Sequence, residues 1–166
     1  MLMLNPNRLN ASIALSSIFA IAFALISQHS FDLAPCAWCV FQRLLFLLLA
    51  LWSGLAWAVS SHQFKVMFSS LAVLTAAGGV ASALYQLNLV AQQFSCAQTF
   101  ADVFMTQSKL ESTLPWLFGI YATCVDASVK LLGIEYAAWG LMLFVILALA
   151  AAKASMLNYR LLRNPS

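Results

Sequence analysis

The hydrophobic residues of this chain are grouped into four long stretches separated by short polar segments. The stretches cover residues 11–28, 44–61, 66–90 and 137–152, and the mixed segment 131–136 lengthens the last into a predicted span of about 135–152. At a rise of ~1.5 Å per residue, helices of this length cross a hydrocarbon layer of ~30 Å. The pattern therefore predicts an all-α integral membrane protein built as a four-transmembrane-helix bundle.

The segments between the stretches predict one tight turn and two outer loops. Residues 62–65 separate the second and third stretches, so these two helices should form a hairpin that turns there. The outer loops are expected at about 30–42 and 91–135, and the second contains an apolar cluster at 114–121. Clusters with Trp and Tyr lie in the headgroup region or pack on helix ends, and either placement makes this long loop membrane-associated. No repeat or linker is present, which predicts a single domain over 1–166.

Charge predicts the orientation of the bundle. Only 8% of the residues are charged and 63% are hydrophobic, a composition that excludes a soluble globular protein. One side of the predicted bundle holds no acidic residue and five basic ones, namely Arg8, Lys65, Lys153, Arg160 and Arg163. Because cytoplasmic segments carry the excess of Lys and Arg, both termini are expected in the cytoplasm and both longer loops outside.

The net charge of +3 is therefore interpreted as a topology signal, with no nucleic acid among the expected partners. A cleaved signal peptide in the first thirty residues is the alternative, since Arg8 precedes an apolar run. Cleavage would leave three spans and abolish the one-sided distribution of basic residues.

All four cysteines lie in the two outer loops or at their edges. They are Cys36, Cys39, Cys96 and Cys124. The outer side of a bacterial inner membrane is oxidising, so an even number of cysteines there predicts disulfides. Two structural disulfides are the plain alternative to redox chemistry, and the long loop between Cys96 and Cys124 gives that interpretation more weight for the second pair.

The sequence Cys36-Ala37-Trp38-Cys39 is a CxxC motif. With this spacing one thiol lowers the pKa of the other and the disulfide ring is small and readily exchanged, whereas so short a loop adds little stability. Zinc is the usual competitor, but the second cysteine pair is not another CxxC, so no metal site is expected. The motif favours a redox role.

Arg43 follows Cys39 by four residues, at the predicted start of the second span. If the helix begins near Cys39, both side chains lie on one face. The guanidinium would then favour a Cys39 thiolate and could stabilise an anionic cofactor. The alternative is that Arg43 only extends to the lipid headgroups.

These residues resemble the DsbB family of quinone-dependent disulfide-forming proteins. The motif that carries the resemblance is Pro35-Cys36-x-x-Cys39-x-x-x-Arg43 after a first span. A spaced cysteine pair in the second loop and the stretch 132–135 leading to Trp139 extend it over nearly the whole chain. The resemblance implies a multi-pass protein of the bacterial inner membrane, with active cysteines on the periplasmic side.

The resemblance also implies a relay of electrons. Cys96 would accept the attacking thiolate of a periplasmic DsbA-like oxidant, and the released Cys124 would attack Cys36. Cys39, left as a thiolate, would pass electrons to ubiquinone or menaquinone through a charge-transfer or covalent adduct, with Arg43 stabilising the charge. The quinone would carry the electrons on to the respiratory chain. Redox disulfides Cys36-Cys39 and Cys96-Cys124 are implied.

Three positions bear on the detail of this resemblance. Val129 stands where the family commonly has Trp, and Gln42 where Glu often precedes the arginine. These departures concern the quinone type and the choice of partner. The family can use a His or Gln near the end of the third span to help hold the quinone, and Gln86 falls roughly there.

Two other classes of protein compete with this interpretation. A non-catalytic four-span scaffold with structural disulfides in its outer loops would use the cysteines but would give Arg43 no role. A thiol-dependent metal carrier would need metal-binding side chains along the spans, where the sequence places no buried Cys, His, Asp or Glu. Only a membrane thiol:quinone oxidoreductase uses the CxxC, Arg43 and the spaced pair together.

Overall fold

The computed structural model describes residues 5–92 and 99–163, in which four long helices alternate with short connecting elements. The helices and strands in chain order are α1 (Pro6–Ser30), α2 (Ala37–Ala58), α3 (His62–Gln92), α4 (Phe100–Gln107), α5 (Leu110–Thr113), α6 (Pro115–Phe118), β1 (Lys130–Leu131), β2 (Ile134–Glu135) and α7 (Tyr136–Arg163). The cysteines of the first motif lie at one end of the bundle, called here the cysteine end. The start of α1 and the end of α7 lie at the other.

Each of the four long helices contains a segment long and apolar enough to cross a membrane. Large apolar side chains cover the outside of the bundle instead of being hidden within it. Examples are Leu15, Phe19, Leu74, Ile146 and Leu149, each more than half exposed. Because a soluble protein would not expose such a surface around its whole circumference, the predicted four-helix membrane bundle is confirmed.

Small residues on α3 allow its neighbours to approach closely. Ala72, Ala76, Gly79 and Ala83 are buried on one stripe of this helix, which packs mainly on α2 and α7. The Phe144 ring of α7 lies directly against Gly79 and stacks on Phe46 of α2 with ring centroids 4.0 Å apart. In lipid, where the hydrophobic effect does not drive helices together, this close packing supplies much of the association energy.

Replacing Gly79 with alanine is expected to destabilise the bundle by about 1–3 kcal/mol, because the new methyl group would collide with the Phe144 ring. The neighbouring Gly78 provides a matched control, since a Cβ there meets nothing within 4 Å. Gly78→Ala should be neutral or slightly stabilising, as alanine favours helix. Thermal unfolding in detergent would measure both variants, and equal melting temperatures for the two would contradict the packing described.

The start of α2 differs from the predicted start of the second span. The helix begins at Ala37, seven residues before the apolar run at 44–61, because Cys36 acts as its N-cap and its sulfur accepts a hydrogen bond from the Cys39 amide at 3.4 Å. At the other end, α2 stops at Ala58, and residues 59–61 connect it to α3. The predicted tight hairpin is present, but its turn precedes residues 62–65, which form the first turn of α3.

The segment before the last helix is a β-hairpin, so the prediction that 131–136 lengthens the fourth span is wrong. Leu131 pairs with Ile134 across a two-residue turn formed by Leu132 and Gly133. Both turn residues have positive φ, 54° and 82°, as two-residue hairpin turns of the primed types require. The helix starts only at Tyr136 and continues to Arg163, beyond the predicted end at 152.

The apolar cluster of the second loop divides into two parts. Leu117 and Phe118 of α6 are buried and join the main core, whereas Trp116 and Tyr121 are more than half exposed. The same segment is bonded to the first loop through the main chain. The Tyr121 and Ala122 amides donate to the Pro35 carbonyl at 3.0 and 3.3 Å. The loop is therefore fastened to the cysteine end of the bundle.

Candidate functional site

The CxxC motif occupies the first turn of α2, where helix geometry brings its two sulfur atoms together. Cys36 is fully buried, Cys39 is partly buried, and their Sγ atoms lie 2.9 Å apart. The N-terminus of a helix carries partial positive charge and so favours a thiolate. The first turn of α2 thus places two exchangeable sulfurs where negative charge is favoured.

Arg43 lies one turn further along α2 and is 6% exposed. Its Nη1 donates to Gln28 Oε1 at 2.6 Å and to the Leu117 carbonyl at 3.0 Å, and its Nη2 donates to the Ala24 carbonyl at 3.5 Å. These bonds join α1, α2 and α6. Because all three acceptors are neutral, they hold the guanidinium without cancelling its charge, which remains available to an anion beside it.

Two buried glutamines face the cysteines from α2 and α3. Gln42 Nε2 donates to Gln86 Oε1 at 2.7 Å. Gln86 Nε2 in turn lies 3.2 Å from the sulfur of Cys39 and 3.5 Å from that of Cys36. A Cβ on Gly140 of α7 would lie 3.3 Å from Gln42 Oε1, so glycine there leaves room for the amide.

Cys124 of the second loop packs against the buried cluster that contains Cys36. Interaction with the Cys124 thiol, together with contact with Cys39 and burial, raises the pKa of Cys36 well above its usual range. The same interaction with Cys36 lowers the pKa of Cys124, although burial opposes the change. Of these two thiols, Cys124 is therefore the one that deprotonates more readily.

A cavity of about 330 Å³ opens beside these residues, between α1, α2, α3, α7 and the β-hairpin, and is called here the cysteine cavity. Its polar lining consists of Cys39, Gln42, Arg43 and Gln86. Aromatic rings form much of the remainder, namely Phe19, Phe23, Phe46, Tyr136 and Trp139. A largely apolar volume with a few polar groups at one place suits a small apolar ligand with polar atoms at one end.

The structure brings together four of the residues singled out in the sequence. Cys36, Cys39, Arg43 and Cys124 meet at the cysteine end, and Cys39 and Arg43 line one cavity as their four-residue spacing predicts. The fifth, Cys96, lies outside the described residues, so its pairing with Cys124 stays a prediction.

Sequence reasoning missed Gln28 and the contact between Gln42 and Gln86. The available signal was that a neutral amide inside an apolar span needs a hydrogen-bond partner in lipid. That signal does not identify which residue is the hydrogen-bond partner. Gln86 was noted only as a residue near a quinone, and Gln42 only as a departure from the family pattern.

Comparison with known proteins adds independent information. Residues 6–154 match the family model described as "Disulfide bond formation protein DsbB". The match spans all four long helices up to the last turns of α7 and includes every residue of the site.

Individual relatives carry the name "Disulfide bond formation protein B". The protein from Verminephrobacter eiseniae is 33% identical over 147 residues, covering 87% of this chain and 82% of the relative. The protein from Polaromonas naphthalenivorans is 30% identical over 149 residues, covering 88% and 89%. The protein from Cupriavidus metallidurans is 29% identical over 141 residues, covering 84% and 86%.

Proposed function

Because the chain belongs to the DsbB family of disulfide bond formation proteins, we propose that it reoxidises a periplasmic DsbA-like dithiol protein with quinone as electron acceptor. Membership itself makes it a disulfide oxidoreductase of the inner membrane that acts with a disulfide-forming partner. The observation that carries the proposal is that Cys39 and Arg43 line the same apolar cavity beside the CxxC sulfurs.

The cysteine cavity fits a quinone in both shape and chemistry. Its aromatic lining suits a flat ring and the start of an isoprenoid chain, while Arg43 and Gln86 offer N–H donors at the end nearest Cys39. Ubiquinone and menaquinone share these features, and the lining does not distinguish them. When bound, the quinone supplies the capacity to accept two electrons and two protons, and it returns them to the respiratory chain as quinol.

The cysteines would transfer the electrons by successive thiol–disulfide exchanges. The partner's thiolate attacks Cys96 of the Cys96–Cys124 disulfide and releases the Cys124 thiolate. Cys124 then attacks Cys36 of the Cys36–Cys39 disulfide and releases the Cys39 thiolate, so each step forms one S–S bond and breaks one. The packing of Cys124 against the buried cluster that contains Cys36 supports this second step.

Arg43 would stabilise the negative charge that develops on Cys39 at the end of this relay. The Cys39 thiolate would lie beside a largely apolar cavity, where a nearby fixed cation stabilises charge far better than in bulk solvent. The bonds to Gln28, Ala24 and Leu117 keep the guanidinium in place before charge develops. The partner's second thiolate would attack its own sulfur in the mixed disulfide and release the Cys96 thiolate, which would attack Cys124 and release Cys36. The Cys36–Cys39 disulfide would re-form as two electrons pass to quinone, and the two protons lost by the partner's thiols would equal the two that the quinol gains.

The proposed orientation places the cysteine end in the periplasm and both termini in the cytoplasm. The end of the bundle opposite the cysteines contains Arg8, Lys65 and the basic last turn of α7. At that end Lys65 Nζ donates a hydrogen bond to Asn7 Oδ1 at 2.9 Å. This distribution follows the rule that basic segments remain in the cytoplasm.

Quinone reduction by the purified full-length protein, with reduced DsbA as donor, tests the proposed function. The intact protein should turn over, whereas Cys39→Ser and Cys96→Ser should each lose activity by more than about 1,000-fold, because each breaks the chain of sulfurs. Cys39→Ser retains the second pair and should still form one mixed disulfide with DsbA, which shows that it is folded. Failure of the intact, quinone-supplied protein to oxidise DsbA or another periplasmic dithiol would favour a scaffold with structural disulfides.

A further inference from the structure

The contact between Gln42 and Gln86 fixes which end of the Gln86 amide faces the sulfurs. Gln86 is 4% exposed and Gln42 is 7% exposed, so water does not compete for their hydrogen bonds. Gln42 donates an N–H to Gln86 Oε1, which occupies the acceptor of that amide. The NH₂ group of Gln86 is thereby turned toward Cys39 and Cys36.

We propose that Gln86 is a catalytic residue that donates a hydrogen bond to the Cys39 thiolate, and that Gln42 is the positioning residue that keeps it donating. The inference rests on the proposed function for its catalytic meaning, but the hydrogen bonds exist independently of quinone or partner. A charge-assisted hydrogen bond to sulfur increases the fraction of thiol present as thiolate.

Gln86 differs from Arg43 in what it contributes. Arg43 carries a full charge and favours any anion in the cysteine cavity, whereas a neutral amide donor acts only over hydrogen-bond distance. At 3.2 Å from Cys39 Sγ and 3.5 Å from Cys36 Sγ, Gln86 Nε2 can donate to whichever sulfur carries the charge. The Gln86 hydrogen bond from α3 thus stabilises the thiolate, and the site needs no second cation.

A single atom change at Gln42 should reverse the orientation of Gln86. An ionised carboxylate has no N–H to donate, so in Gln42→Glu the new side chain can only accept. Gln86 must then turn its NH₂ group toward residue 42 and its oxygen toward the sulfurs, where it repels a thiolate. A protonated carboxyl regains a donor, so acidification should return Gln86 to its original orientation.

The test is the rate of Cys39 alkylation by iodoacetamide in the fully reduced full-length protein, measured by mass spectrometry of the Cys39 peptide in the absence of quinone and DsbA. Only the thiolate reacts, so the rate at neutral pH reports the thiolate fraction. Gln86→Leu and Gln42→Glu should each react about tenfold more slowly than the wild type. The deficit of Gln42→Glu, taken as a ratio to wild type, should shrink as the pH falls.

Two further variants separate this role from general damage to the fold. Gln63→Glu adds the same charge at an exposed position in the first turn of α3, at the other end of the bundle, and should react like the wild type. Gln86→His keeps one donor and one acceptor and should recover part of the rate.

Wild-type alkylation rates in Gln86→Leu would overturn the inference, whatever the effect on turnover. A deficit caused by Gln42→Glu that is equally large in the Gln86→Leu background would remove the positioning role, because the carboxylate would then act on the thiolate by its own charge. If the alkylation results are as expected but the intact protein does not reduce quinone, the inference stands and the proposed function fails.

Discussion

Replacement of Arg43 by methionine is expected to lower quinone reduction about 100-fold or more, the usual cost of removing a fixed donor from a site where negative charge develops. Methionine fills similar space and leaves Cys39 in place, so thiol exchange with the partner should continue. The oxygen atoms of Gln28 and Leu117 would lose their bonds to Arg43, which should lower the melting temperature as well. Steady-state quinone reduction and thermal unfolding would measure the two effects.

The Arg43→Lys variant separates charge from geometry. Lysine keeps the cation but cannot reach several acceptors as a planar fork does, so activity should fall between the wild type and Arg43→Met. Lys153→Met removes an exposed cation from α7 far from the site and should leave turnover unchanged. Wild-type quinone reduction in Arg43→Met would show that the guanidinium only fastens α1, α2 and α6 together.

Filling the cysteine cavity should raise the KM for quinone at least tenfold while leaving thiol chemistry intact. Ala20 lines the cavity from α1, and a tryptophan there would occupy much of its volume of about 330 Å³. Quinone reduction over a range of short-chain ubiquinone concentrations would give the KM. A single-turnover exchange with reduced DsbA, followed without added quinone, should proceed at the wild-type rate.

Ala22→Trp provides the matched control on the same helix. Ala22 is exposed on the outside of the bundle, where a large apolar side chain meets lipid. This variant should have a normal KM. An unchanged KM in Ala20→Trp would instead place the quinone outside the cysteine cavity.

Membrane spans could be predicted from the sequence because hydropathy is a local property. A run of apolar residues finds no other stable environment than lipid, so the number of helices followed directly from the number of runs. The prediction that Cys39 and Arg43 lie on one helix face was also local, since residues four positions apart are neighbours on the surface of a helix. Both were predicted correctly.

Helix boundaries were predicted less well, because they depend on single side chains and turns. A cysteine sulfur caps α2 eight residues before its apolar run, a role that sequence preferences assign to Ser, Thr, Asp or Asn. The turn of the β-hairpin is Leu132-Gly133, where the usual signal would be Asn-Gly. Sequence preferences therefore predict neither the N-cap of α2 nor the turn of the β-hairpin.

The sequence did not predict which residues of different helices contact each other. A span surrounded by lipid is apolar on every side, so its pattern does not tell which face turns inward. Gln42 and Gln86 are separated by 44 positions, and only the rotation of α2 and α3 brings their amides together. The placement of Cys124 on Cys36 likewise depends on how a long loop folds back.

The main-chain hydrogen bonds between the two loops affect which sequence changes the second loop can tolerate. The Tyr121 and Ala122 amides donate to the Pro35 carbonyl, and the Leu117 carbonyl accepts from Arg43. Every residue type has a backbone carbonyl, and every one except proline has an amide hydrogen. Side chains at 121 and 122 can therefore change over evolution without separating the loops, whereas a single inserted or deleted residue between 117 and 124 would shift the register and separate the cysteines. Loop length, more than loop sequence, should be what selection preserves there.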